Sequence, residues 1–163
     1  MYKSIVAGLL GSLLAWGFST SSLACGESLY RVGKGVAFRD YSAPLPGRIL
    51  ALVTTESDRQ MASILRDAGH EVHVVTTVKQ IGAELSDADH EFDVIITMYE
   101  DHVAVQEEIA RAQSTAAYLP VAAAGSDQLD QARLINRDAP SSDDRVKTFL
   151  RAIHYTLVRQ TPT

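Results

Sequence analysis

From Arg48 onward the chain alternates short runs rich in β-branched residues with longer stretches whose apolar residues recur at helical spacing. This alternation restricts the fold more than any other feature. Arg48–Thr54 reads as a strand, and Ser57–Ala68 as a helix with Met61, Ile64, Leu65 and Ala68 on one face and Gly69 as its stop. Glu71–Thr76 is the second strand, and Val78, Ile81 and Leu85 mark the helix after it. Phe92–Met98 is the third strand, apolar through its middle as expected where both faces of a parallel sheet are covered. Val103–Gln113 reads as a helix, Leu119–Ala124 as the fourth strand, Ser126–Gln131 as a short helix and Arg133–Asn136 as a weaker fifth strand. Asp143–Arg159 closes the pattern as an amphipathic helix through Val146, Phe149, Leu150, Ile153 and Leu157. Five βα units in about 110 residues imply an α/β fold, a three-layer doubly wound parallel five-stranded sheet. The expected strand order is 2-1-3-4-5, which places any site at the C-terminal ends of strands one and three.

The run Phe92-Asp93-Val94-Ile95-Ile96-Thr97-Met98 resembles the central strand of response-regulator receiver domains, in which an aromatic-Asp pair and four apolar residues precede the phosphoaccepting Asp. The likeness extends over roughly Arg48 to Arg159 and implies their flavodoxin-like fold. At the acceptor position this chain has Met98. A thioether cannot form an acyl phosphate and binds Mg²⁺ poorly. Receiver chemistry also needs two acids after the first strand, a hydroxyl ending the fourth and a lysine ending the fifth. The matching places hold Thr54 and Thr55, Ala124 or Gly125, and Asn136 or Arg137. The resemblance is therefore to a degenerate, pseudo-receiver domain without phosphotransfer. Glu56, Glu100 and Asp101 lie near the same rim, but acids in surface loops are ordinarily solvated.

The N-terminal stretch reads as an address. Lys3 is a short basic start, Ile5–Phe18 is almost wholly apolar, and Ser19–Ala24 is a small, polar approach to a cleavage point, the pattern of a bacterial secretory signal peptide over residues 1–24. The apolar stretch falls short of the roughly 20 residues a spanning helix needs. Cys25, the single cysteine, follows directly. Bacterial lipoproteins carry lipid on a cysteine at this place, usually with Leu three residues before it, whereas here Ser22 stands there and Leu23 comes one later. Lipidation of Cys25 and plain cleavage after Ala24 both stay open, and either makes the protein periplasmic or secreted, membrane-anchored only through that lipid. Residues 25–47 read as an extended arm punctuated by Ala43-Pro44-Leu45-Pro46-Gly47, and residues 48–160 as the domain. Gly33-Lys34-Gly35 lacks the remaining glycine and the Lys-Ser/Thr ending of a phosphate loop.

The formal charge of −5 includes Lys3, so removing the leader leaves a slightly more negative chain with no electrostatic footprint for nucleic acid. The loop Thr54-Thr55-Glu56-Ser57-Asp58 leads into a helix N-terminus, where backbone amides can hold an anion. It lacks the glycine of such loops, Glu56 and Asp58 repel phosphate, and the simpler reading makes Ser57 an N-cap. The histidines His70, His73, His90, His102 and His154 are scattered without a second close pair, so spacing points to no metal. Asp101-His102 lacks a nucleophile on a tight glycine turn. The resulting expectation is a non-catalytic, cofactor-free interaction or signalling module of the cell envelope. Its partner would be an unknown envelope protein or a second copy, meeting a face that includes Leu129, Leu134, Ile135 and Tyr155. The alternative is a small-ligand, flavin- or phosphate-binding protein with its site at Thr54, Thr55, Ser57, Met98 and Tyr99.

Overall fold

The computed structural model describes residues 43–160. The leader, Cys25 and the arm up to residue 42 lie outside the described residues. Four parallel strands, β1 (Arg48–Leu52), β2 (Glu71–Val75), β3 (Val94–Met98) and β4 (Ala117–Val121), form one sheet in the order β2-β1-β3-β4. The connecting helices are α1 (Glu56–Asp67), α2 (Val78–Ser86), α3 (His102–Ala112), α4 (Gln128–Ile135) and α5 (Val146–Gln160), with a 3-10 turn at Tyr99–Asp101 leading into α3.

Each helix starts and stops for local reasons. Thr55 caps α1 and Thr77 caps α2, each accepting from the backbone three residues on while that residue's side chain reaches back, a reciprocal capping box. The N-cap of α1 is thus Thr55 rather than Ser57. Gly69, with φ of +100°, ends α1 by letting its own N–H and that of His70 turn back to the carbonyls of Arg66 and Leu65. At nine residues α2 is too short to persist alone, so packing holds it. Ile81 is fully buried among Leu50, Leu52, Val75, Leu85, Phe92, Ile95 and Val105, the core under α2 and α3. Such a side chain contributes about 2–3 kcal/mol. Gly82 brings α3 close, since a Cβ there would clash with the Glu108 carboxylate. The last residues of the arm are tied down, with Ala43 N–H on Ala68 O at 2.7 Å and Gly47 N–H on His70 Nδ1 at 3.2 Å.

The expected fifth strand at Arg133–Asn136 is not a strand: Arg133 to Ile135 are the last turn of α4. The physical reason is visible along the outer edge of β4. Pro120 has no N–H, and Pro is tolerated where a strand lacks a full neighbour. The Asn136 side chain donates to the Tyr118 carbonyl at 3.1 Å, taking the place of a backbone donor. Beyond it a single parallel bridge joins Ala122 to Ser141, with Ala122 N–H on Pro140 O at 3.0 Å and Ser142 N–H on Ala122 O at 2.8 Å. Side chains and one bridge satisfy the edge, so the short segment after α4 needs no ladder. No helix of the described residues is long and apolar enough to cross a membrane.

Candidate functional site

The C-terminal ends of β1 and β3 form the rim where an open parallel sheet normally places its ligand. Here the rim is closed largely by the chain itself. Asp58 Oδ2 accepts from Thr54 N–H at 3.0 Å, Thr55 N–H at 2.8 Å and the Thr54 hydroxyl at 3.2 Å, while Asp58 N–H donates to Thr55 Oγ1 at 3.2 Å. The Thr54 and Thr55 amides, which would face an anion here, are thus held by an internal carboxylate. Burial alone would raise the Asp58 pKa, but the hydrogen bonds from Thr55 and Thr54 outweigh it and hold the group below its ordinary 3.8.

Beneath this loop lies a cavity of about 70 Å³, lined by Ser57, Asp58, Met61, Thr97, Met98 and Phe149 among others. At 10–15 Å³ per water, it has room for about five waters and not for an isoalloxazine ring. Of the five residues expected to share a ligand site, Ser57 and Met98 meet in this cavity. Thr54 and Thr55 are exposed and engaged by Asp58. Tyr99 turns toward α4, packing with Leu129 near Ala122 and Ala132 and donating its hydroxyl to Gln131 Oε1 at 3.0 Å.

Thr97 and Tyr118 are the polar residues the sequence pattern did not single out. Thr97 is 2% exposed, and its hydroxyl lies 2.9 Å from that of Tyr118, whose pKa burial pushes up to about 12. Their only sequence signal is polarity inside two otherwise apolar strands. Neither is joined by a base, so the pair is a satisfied buried contact and not an activated nucleophile. His102 is occupied as well, stacked on Tyr99 at 4.3 Å and donating from Nδ1 to the Tyr99 carbonyl at 2.8 Å. Glu56 pairs with Arg59 on its own helix, and among the described residues the rim acids Glu56, Glu100 and Asp101 do not converge as a ligand set. Ala124 and Gly125 lie exposed after β4, and Asn136 is spent on the β4 edge. The rim as a whole can cap a helix and exclude water, but it offers neither a carboxylate cage for Mg²⁺ nor a phosphate cradle.

No family model matches the chain, and no curated protein matches it. A solved structure described as yeast Spc42 trimeric coiled-coil amino acids 181–211 fused to another structure is similar in fold, with a TM-score of 0.60 at 15% identity over 71% of this chain and 79% of that one. The aligned share far exceeds the coiled-coil segment, so the likeness lies in the rest of that fusion and concerns the fold alone.

Proposed function

We propose that this chain is an exported, pseudo-receiver interaction module that performs no phosphoryl transfer. We also read the Ala122–Ser141 bridge as what remains of a fifth strand, in a three-layer, doubly wound arrangement of order 2-1-3-4-5. The observation that carries the functional reading is the rim: Met98 lines a small cavity where an acceptor carboxylate would stand, and Thr54 and Thr55 are spent on Asp58. A divalent ion there would lack the oxygen ligands that compensate its charge.

The contact face is the α4–α5 side. Leu134 is 88% exposed on α4, and Tyr155 and Val158 stand exposed at 47% and 49% on α5. Arg151, Tyr155 and Val158 follow i, i+4, i+7 spacing, which aligns them along one stripe of α5. Exposed apolar side chains on both of these helices suit a partner or a second copy better than water. The small-ligand alternative has less support, because its cavity holds only a few waters and its amides are taken.

Two measurements test the reading. Acetyl phosphate with Mg²⁺ leaves the intact mass unchanged; a phosphoryl increment would overturn it. Sedimentation over a wide concentration range shows association, with itself or with a supplied envelope fraction, that Leu134→Glu with Tyr155→Glu abolishes. A monomer that captures nothing, or capture indifferent to that pair of changes, would refute the interaction face. Intact mass after expression with the chain's own leader tells lipidated Cys25 from a bare chain.

A further inference from the structure

The opposite end of the sheet holds a second cluster, remote in sequence logic from the rim. Edge strand β2 presents His73 on the same side as Val75, the side packed under α2. Glu84 stands on α2 beside Leu85, and a turn from Asp87 to His90, closed by His90 N–H on Asp87 O at 3.1 Å, folds His90 back toward both. The rings of His73 and His90 are 5.3 Å apart, and Phe92 wedges edge-on against His73 at 5.2 Å. One ligand atom from each of His73, Glu84 and His90 lies within 4.8 Å of the others.

The arrangement differs from an ordinary ion pair in a specific way. Glu84 Oε2 and His90 Nδ1 approach to 2.9 Å, both are screened from solvent, and neither completes a hydrogen bond. Two buried donors of electron pairs that converge without aligning on each other are placed as two ligands of one cation are placed. Glu71 Oε1 lies 3.1 Å from His73 Nε2, and Asp87 Oδ2 lies 3.7 Å from His90 Nδ1, on the converging side of that ring. An outer carboxylate such as Glu71 holds a metal-bound imidazole in orientation when it bonds the ring nitrogen the metal leaves free.

We propose that His73, Glu84 and His90 form a binding site for a divalent transition-metal ion of the zinc class. Two imidazoles and one carboxylate suit Zn²⁺, Cu²⁺ or Ni²⁺ and are too nitrogen-rich for Ca²⁺ or Mg²⁺. Ligands at 2.0–2.1 Å from a tetrahedral zinc stand about 3.3 Å apart, so the widest pair must close by at most about 1.5 Å. Side-chain rotation supplies that movement, since all three groups are about one-third exposed. Three protein ligands leave a fourth position, for which Asp87, 3.7 Å from His90 Nδ1, is a further donor. The ion joins β2, α2 and the loop before β3, and so it stabilises this edge of the domain.

The test is calorimetric titration of Zn²⁺ into the full chain after removal of bound metal with a chelator, followed by Co²⁺ absorption as a report on coordination. One equivalent binds saturably, and His73→Ala and His90→Ala each weaken binding at least about a hundredfold. Cys25→Ser and His102→Ala bind as the parent does. Zinc raises the melting temperature of the parent and not of Glu84→Gln, which retains the side chain's shape and decides the matter should either alanine variant fail to fold. No saturable equivalent in the parent, or binding that survives loss of both His73 and His90, overturns the proposal.

Discussion

Replacing Asp58 with alanine tests whether the rim is closed by its own chain. The change removes two amide-to-carboxylate bonds and one hydroxyl bond at the start of α1. Loss of a cap of this kind costs about 1 kcal/mol, and loss of a negative charge in the first turn a further 0.3–1 kcal/mol or so. Thr54 and Thr55 are exposed, so water takes up the freed amides and the total stays near about 1.5 kcal/mol. With a urea slope of about 2 kcal/mol/M, the unfolding midpoint falls by about 0.7 M. Acid must remove the same contribution. Asp58 has a folded pKa below its ordinary 3.8, so its stabilisation is present above about pH 3.8 and is lost as pH falls through the folded value. The gap between parent and Asp58→Ala therefore narrows below that pH. Phosphate should then stabilise the variant more than the parent, because the amides it would use are vacated. An unchanged midpoint, a gap indifferent to acid, or equal response to phosphate would refute the reasoning.

His70 is 5% exposed, burial holds its pKa below 6.5, and its Nδ1 must be unprotonated to accept from Gly47. The folded state thus binds fewer protons than the unfolded one, so stability is whole above about pH 6.5 and declines as pH drops below it; His70→Asn flattens that slope in pH-dependent urea titrations. Asn136→Leu removes the donor to Tyr118 O and one of two donors to Thr156 Oγ1, costing about 2 kcal/mol and lowering Tm by roughly 8 °C by calorimetry. A Tm within a degree or two of the parent's would mean that water replaces Asn136 at the edge.

The four true strands were legible because their apolar runs are bounded by turn residues and because period 2 and period 3.6 do not mix within them. The helices α1 to α3 and α5 were legible for the same reason. The segment Arg133–Asn136 was misread because Leu134-Ile135 is a short apolar pair that either period accommodates, and its helical state depends on Asn136 turning back to a distant strand. Thr55 was passed over as a cap because Ser57 offers an equally good hydroxyl, and only the reach of the Asp58 carboxylate chooses between them. The cluster of His73, Glu84 and His90 was invisible for a topological reason. Its members belong to a strand, a helix and a loop, so no short spacing relates them until β2 and α2 pack.

The two ends of the sheet therefore carry different kinds of polarity. At the C-terminal rim, where open parallel sheets concentrate ligands, several polar groups are matched internally: Asp58 with Thr54 and Thr55, Thr97 with Tyr118, Tyr99 with Gln131. Internal matching stabilises helices and excludes solvent, and it removes what an incoming ligand would bind. At the other end Glu84 and His90 converge and remain unmatched, an arrangement that costs stability unless something occupies the space between them. A fold tells where a site is easy to build, while the side chains decide whether one was built there. In this chain the converging Glu84 and His90 atoms, rather than the architecture, mark the place where binding would be rewarded.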